Sequence, residues 1–106
     1  MKTYTREEVE KATLEYFGQD ELASNVWITK YCLKNKNGEL LEKSPADMHD
    51  RLASEFHRVE MKFNTDRALT KESILKYLNN FKYIVPQGSP MMGVGNDHVN
   101  VSLSNC

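Results

Sequence analysis

The stretch from Ser44 to Phe63, "SPADMHDRLASEFHRVEMKF", decides what kind of chain this is. Ser44 is a favoured helix cap. Pro45 fits the first turn, where its missing N–H breaks no bond, and Asp47 sets negative charge at the positive end of the helix dipole. Met48, Leu52, Phe56 and Val59 then recur three or four residues apart, which lays one apolar stripe along a helix. A long amphipathic helix in the middle of a 106-residue chain predicts a mainly α protein with a single modest core.

Two shorter helices are predicted on the N-terminal side. Thr5 and Glu8 have the spacing of a capping box, Val9, Ala12, Leu14, Tyr16 and Phe17 supply apolar surface, and Gly18 is a natural stop. Asp20 caps the next helix, where Leu22, Ala23, Val26, Trp27 and Tyr31 form a core-like stripe, with Trp27 read as packing. The sequence "YCLKNKNGELLEK" then changes period. Asn37-Gly38 between apolar flanks signals a hairpin, Tyr31–Leu33 against Leu40–Glu42.

On the C-terminal side the polar loop "NTDRAL" leads to a fourth helix. It is capped by Thr70 and turns Ile74, Leu75, Leu78 and Phe81 inward. The pattern changes after Asn80. "FKYIV" (81–85) reads as a short β-type run, "PQGSPMMGVGN" (86–96) as irregular because Pro and Gly interrupt it, and "HVNVSL" (98–103) as a strand. The expected organisation is a helical module over 1–81, with a small β-hairpin near 31–42, followed by a strand–loop–strand tail over 82–106.

The totals exclude several function classes. A net charge of −1 leaves no basic excess for nucleic acid or an anionic membrane surface. No apolar run approaches the roughly 18–20 residues of a spanning helix, and the charged start "MKTYTREEVEK" is unlike a secretion signal, so a cytoplasmic location is expected. Cys32 and Cys106 are too few for a disulfide scaffold. Cys32, among apolar neighbours, reads as a buried small hydrophobe.

Candidate chemistry is sparse. His49 and His57 fall on one helix about 12 Å apart along its axis, too far to share a metal, and no metal site is expected. Asp97-His98 without a nearby nucleophile reads as a solvated turn. "GSPMMGVGN" offers main-chain N–H groups, the Ser89 hydroxyl and little bulk, which suits close approach of a phosphate. It matches neither the P-loop spacing nor the dinucleotide fingerprint, so a plain connecting loop is an equal reading. "SLSNC" sets the Cys106 thiol beside Ser104 and Asn105, where it is either structural or redox-active.

These same residues carry a resemblance. "FKYIVPQGSPMMGVGN…VSLSNC" resembles the stretch of the ribonucleotide reductase catalytic subunit that leads into its first active-site cysteine. "NVWITKYCLKNKNGELLEKSPADMHDRLASEFHRVE" is similar to that family's N-terminal helical region. The likeness runs from about Tyr4 to Cys106, is specific at "GSPM" and "SLSNC", and is closest to the adenosylcobalamin-dependent branch; the two-subunit diiron type shares the layout here.

The resemblance implies a fold and a set of roles. The chain would be the N-terminal helical module of an α/β-barrel enzyme plus its first barrel strand. Cys106 would be one of the cysteine pair that gives two electrons to the ribonucleotide and becomes a disulfide. Ser89 would lie in the loop that binds the substrate phosphates, and Ser104 would be a further candidate for the substrate pocket that Asn105 borders. Asn105, where the family often carries Ser, would contact substrate through its backbone. The thiyl-radical cysteine and the second redox cysteine would belong to the remainder of the reductase, as a truncated gene, a split gene or an intein junction would each arrange. Adenosylcobalamin would serve the full enzyme and no cofactor the fragment alone, which would not turn over by itself. Further partners would be the ribonucleotide substrate and a thioredoxin- or glutaredoxin-type reductant. Residues 82–106 would lack their sheet partners and be poorly ordered or self-associating. The alternatives are a stand-alone helical protein-interaction module without catalysis, and a Gly-rich loop that binds nucleotide phosphates in isolation.

Overall fold

Thr5 opens the first helix as its sequence requires. Its hydroxyl accepts from Glu8 N at 3.2 Å, and the Glu8 carboxylate accepts from Thr5 N at 2.8 Å, closing both halves of a capping box on α1 (Arg6–Tyr16). The computed structural model describes residues 2–63, 69–86 and 88–96. α1 ends in a paired C-terminal motif. Gln19 N donates to Leu14 O at 2.7 Å and Gly18 N to Glu15 O at 3.3 Å, with both residues left-handed at φ +71° and +63°. α2 (Glu21–Lys30) follows under an Asp20 cap, α3 spans Pro45–Met61, and α4 (Lys71–Leu78) begins under Thr70. A 3₁₀ turn (Asn79–Phe81) and the short α5 (Gly88–Gly93) complete the described elements. The protein is mainly helical. Its β structure, among the described residues, is confined to isolated antiparallel bridges at Tyr4–Leu40 and Lys34–Leu40.

The chain divides into two units, Met1–Met48 and His49–Cys106, so α3 gives its first turn to one and the rest to the other. In the first unit α1 packs on α2, and Val9, Thr13, Ser24, Trp27, Ile28, Cys32, Leu40 and Met48 are buried. Each large apolar side chain removed from water there contributes about 1.5–3 kcal/mol. The polar members are bonded as burial demands. Thr13 Oγ1 donates to Lys43 O at 3.1 Å, Ser24 Oγ to Asp20 O at 2.9 Å, and Trp27 Nε1 reaches Met48 Sδ at 3.3 Å. Cys32 is a buried small residue as expected, its thiol donating to Glu42 O at 3.2 Å.

Several expected details are corrected. Leu22 (75% exposed) and Val26 (38%) face away from the core, and the buried side of α2 is Ser24, Trp27 and Ile28. The hydroxyl of Ser24 turns back onto its own helix, so a small residue sits in the core without an orphaned polar atom. Tyr31 is the C-cap of α2 in helical conformation, so it does not begin a hairpin strand. The hairpin register is Lys34 opposite Leu40, with Leu41 N donating to Leu33 O at 2.8 Å. Asn35 causes the shift. Its side-chain oxygen accepts from Asn37 N (2.9 Å) and Glu39 N (3.0 Å), and Gly38 at φ +80° becomes the bulge residue after a turn centred on Lys36-Asn37.

In the second unit His49, Leu52, Ala53, Ile74, Leu78 and Met91 are buried, while Phe56 and Val59 are 43% and 39% exposed. The α3 stripe is therefore covered over its first half only. The expected strand at "FKYIV" is absent. Asn80 and Phe81 are both left-handed, at φ 58° and 53°, and Tyr83 N and Ile84 N then both bond Tyr77 O, folding the chain back on the end of α4. Nor is "PQGSPMMGVGN" wholly irregular, because α5 forms within it. Pro90 falls among the first N–H positions of that helix, which need no intrahelical partner. The strand expected over 98–103 lies outside the described residues.

Candidate functional site: the Gly88–Asn96 segment on α3

Arg51 follows His49 and precedes Leu52 on α3, which places it on the flank of the buried face. Its guanidinium donates to Val94 O at 2.5 Å and to Met91 O, two carbonyls three residues apart at the end of α5. Those are the acceptors that a helix end leaves unsatisfied. The planar Arg fork carries both bonds at once. Val94 N bonds Pro90 O and Asn96 N bonds Gly93 O, each at 3.1 Å.

Gly95 brings the same segment against α3. At φ +74° it holds a conformation that side chains disfavour, and a Cβ there would stand 3.0 Å from Arg51 Cγ and 3.6 Å from Glu55 Cβ. Beside it Glu55 pairs with Arg58 at 2.5 Å, and that hydrogen bond holds the Glu55 carboxyl below its usual pKa. Met91 is buried, which gives the segment an apolar anchor as well as a polar one.

The sequence-predicted site residues separate into two groups. Ser89 is the second residue of α5, within the segment that Arg51 and Gly95 hold. Ser104, Asn105 and Cys106 lie outside the described residues, as do Asp97 and His98. The structure therefore brings Ser89 into an anchored segment and says nothing of how it stands to Cys106.

His49 and His57 have different surroundings. His49 is fully buried, its ring edge to face with Phe81 and bonded by the Asn79 side chain. Burial pushes its pKa down to about 4 against that bond. His57 sits nearer the surface with Nδ1 at 2.9 Å from Leu69 O. Among the described residues no cluster of three or more His, Cys, Asp or Glu could hold a metal. An open groove of about 200 Å³ lies between α1 and α2 in the first unit. The carboxylates of Glu10 and Glu21 line it, which suits no phosphate.

Sequence reading missed Arg51 and Gly95. The available signal was an Arg directly beside a core position, together with a second glycine in "GVGN" that no hairpin or P-loop spacing explains. Compared with protein-family models, curated proteins and solved structures, the chain matches none.

Proposed function

We propose that this chain is the N-terminal portion of a ribonucleotide reductase catalytic subunit, working in the cytoplasm with the remainder of that enzyme. The observation that carries the reading is the Gly88–Asn96 segment. A substrate-phosphate loop acts through main-chain N–H groups, which must be held in place by a scaffold. Here the segment with the reductase-like sequence is fastened to a long helix by a two-pronged Arg contact and a close glycine approach. The mainly helical body agrees with the N-terminal module of that family, and the barrel would be supplied by the remainder. No helix among the described residues is long and apolar enough to cross a membrane.

In this reading Ser89 and its neighbours bind the phosphates of a ribonucleotide, while Ser104 and Asn105 border the sugar. Cys106 and a second cysteine on the remainder each give up a proton and an electron as the C2′–OH becomes C2′–H and water leaves. The two sulfurs are joined as a disulfide, which a thioredoxin- or glutaredoxin-type dithiol reduces by exchange. Adenosylcobalamin, when bound to the full enzyme, supplies the radical that starts the reaction. The reading assigns it to the remainder and gives this chain no step through it.

The test is complementation. The chain is combined with a reductase polypeptide beginning just after the active-site cysteine strand, with adenosylcobalamin and a dithiol reductant, and deoxyribonucleotide is measured. Product that depends on both polypeptides is expected, whereas complex formation without product would sink the reading. A second reading, a helical interaction module without catalysis, is favoured by one observation. Tyr83, Ile84 and Val85 are consecutive and 60%, 51% and 64% exposed, the kind of apolar surface that a partner covers. Association without turnover is the outcome it forecasts.

A further inference from the structure

We propose that Arg51 is the positioning residue of the Gly88–Asn96 segment, setting where that segment's main-chain amides stand toward the phosphates of a ribonucleotide. The inference rests on the reading of the segment as a substrate-phosphate loop, and it assigns the loop's placement to a residue on a different element.

α5 has six residues, too few for a helix to hold its own shape in water. Internal bonds such as Val94 N to Pro90 O and Asn96 N to Gly93 O give the segment local shape but do not fix its position. Position comes from α3. Arg51 reaches Met91 O and Val94 O with separate nitrogens of one rigid plane, which fixes orientation as well as distance. A lysine is a single point charge and cannot span both carbonyls in that geometry.

Gly95 makes the arrangement mutual. Its backbone approaches so closely that any Cβ would meet the Arg51 stem at 3.0 Å, so the Arg side chain also serves as the floor on which the loop's return rests. Glu55 forms the other side of that floor, and its pairing with Arg58 turns its charge to a partner on its own helix. Removing either Arg51 or Gly95 therefore disturbs the same placement from opposite sides.

The experiment compares R51K and G95A with the unaltered chain. Amide hydrogen exchange is read on the chain, and steady-state kinetics are read on the reconstituted enzyme. Exchange at Val94 and Asn96 is expected to rise about tenfold or more in either variant, while Val9 and Ser24 amides in the first unit keep their protection. In the kinetics, KM for the ribonucleotide is expected to rise about tenfold, with kcat falling much less, as loss of binding shared by the ground and transition states requires. G95A keeps the Arg charge, so agreement between the two variants separates placement from electrostatics. Unchanged exchange at Val94 and Asn96 would overturn the proposal. So would loosened exchange with KM unaltered, because the segment's placement would then not matter to substrate. If the unaltered chain yields no product on reconstitution, the reductase reading fails, and the exchange data still decide whether Arg51 holds the segment.

Discussion

The rings of His49 and Phe81 meet edge to face, centroids 4.7 Å apart and planes at 74°, with one ring on α3 and the other on a residue in left-handed conformation just after α4. The contact joins two elements of the second unit through a buried imidazole that carries no charge near neutral pH. Burial favours the neutral form, the Asn79 hydrogen bond favours the charged form, and burial prevails.

A pH dependence follows. The folded pKa of His49 is about 4, below the ordinary 6.5, so the unfolded chain binds the extra proton first as pH falls. Stability from this group is complete above pH 6.5 and is lost as pH drops from there toward 4, by up to a few kcal/mol. Urea unfolding at pH 7.0 and pH 4.5, followed by amide hydrogen exchange at Leu52 and Leu78 of the second unit, checks this. H49L should flatten the dependence over that window. N79A removes the bond that favours the imidazolium, so it should move the folded-state midpoint further down; movement upward would contradict the assignment.

The α1 capping box gives a second acid-sensitive element. The Thr5 main-chain N–H holds the Glu8 carboxyl below its usual pKa, so this contribution is present above the unfolded value and disappears as pH falls through the folded one. T5A should lose about 1 kcal/mol at neutral pH by removing the cap itself. Helix content by far-ultraviolet circular dichroism during denaturation, on T5A and E8Q at neutral pH, measures it. Equal stability of T5A and the unaltered chain would deny the cap its role.

The turns make predictions of opposite sign. Gln19 is left-handed at φ +71° with a side chain in place, whereas Gly38 at φ +80° uses the freedom glycine provides. Q19G should relieve strain and stabilise the first unit by several tenths of a kcal/mol, offset in part by greater freedom in the unfolded chain. G38A should cost about 1 kcal/mol, although its Cβ would meet nothing within 4 Å. Denaturant midpoints of the two variants should therefore move apart.

Legibility in the sequence followed the range of the interaction that decides each element. Thr5 with Glu8, Asp20 with Ala23, and Thr70 with Ser73 act three residues apart, and those helix starts are as the sequence indicates. The face of α2 was misjudged because hydrophobicity ranks Leu22 and Val26 above Ser24, while packing on α1 rewards a small residue whose hydroxyl is satisfied within its own helix. The hairpin register turned on the Asn35 side chain, which competes for the turn amides, and no alternation of apolar residues reports that. The "FKYIV" segment has strand-like residues but begins on the second of two left-handed ones, Asn80 and Phe81, that turn the chain back. Of the candidate site, the composition of "GSPMMGVGN" indicated main-chain access, yet its anchor, Arg51, lies forty residues or more away from the carbonyls it binds, beyond the reach of any local pattern.

Cys106 is the residue whose replacement separates the two readings. If it is one of the two thiols that reduce the ribonucleotide, replacing sulfur by oxygen removes the redox step and leaves the helical body untouched. C106S should unfold at the same denaturant concentration as the unaltered chain and bind the remainder of the reductase equally well, with dithiol-dependent product falling at least about a hundredfold. The second cysteine on the remainder would then have no partner, so the interchain disulfide that the reading expects after turnover without reductant should be missing from non-reducing gels. A chain that acts only as an interaction module predicts the same equal binding, but no such disulfide from either the unaltered chain or C106S.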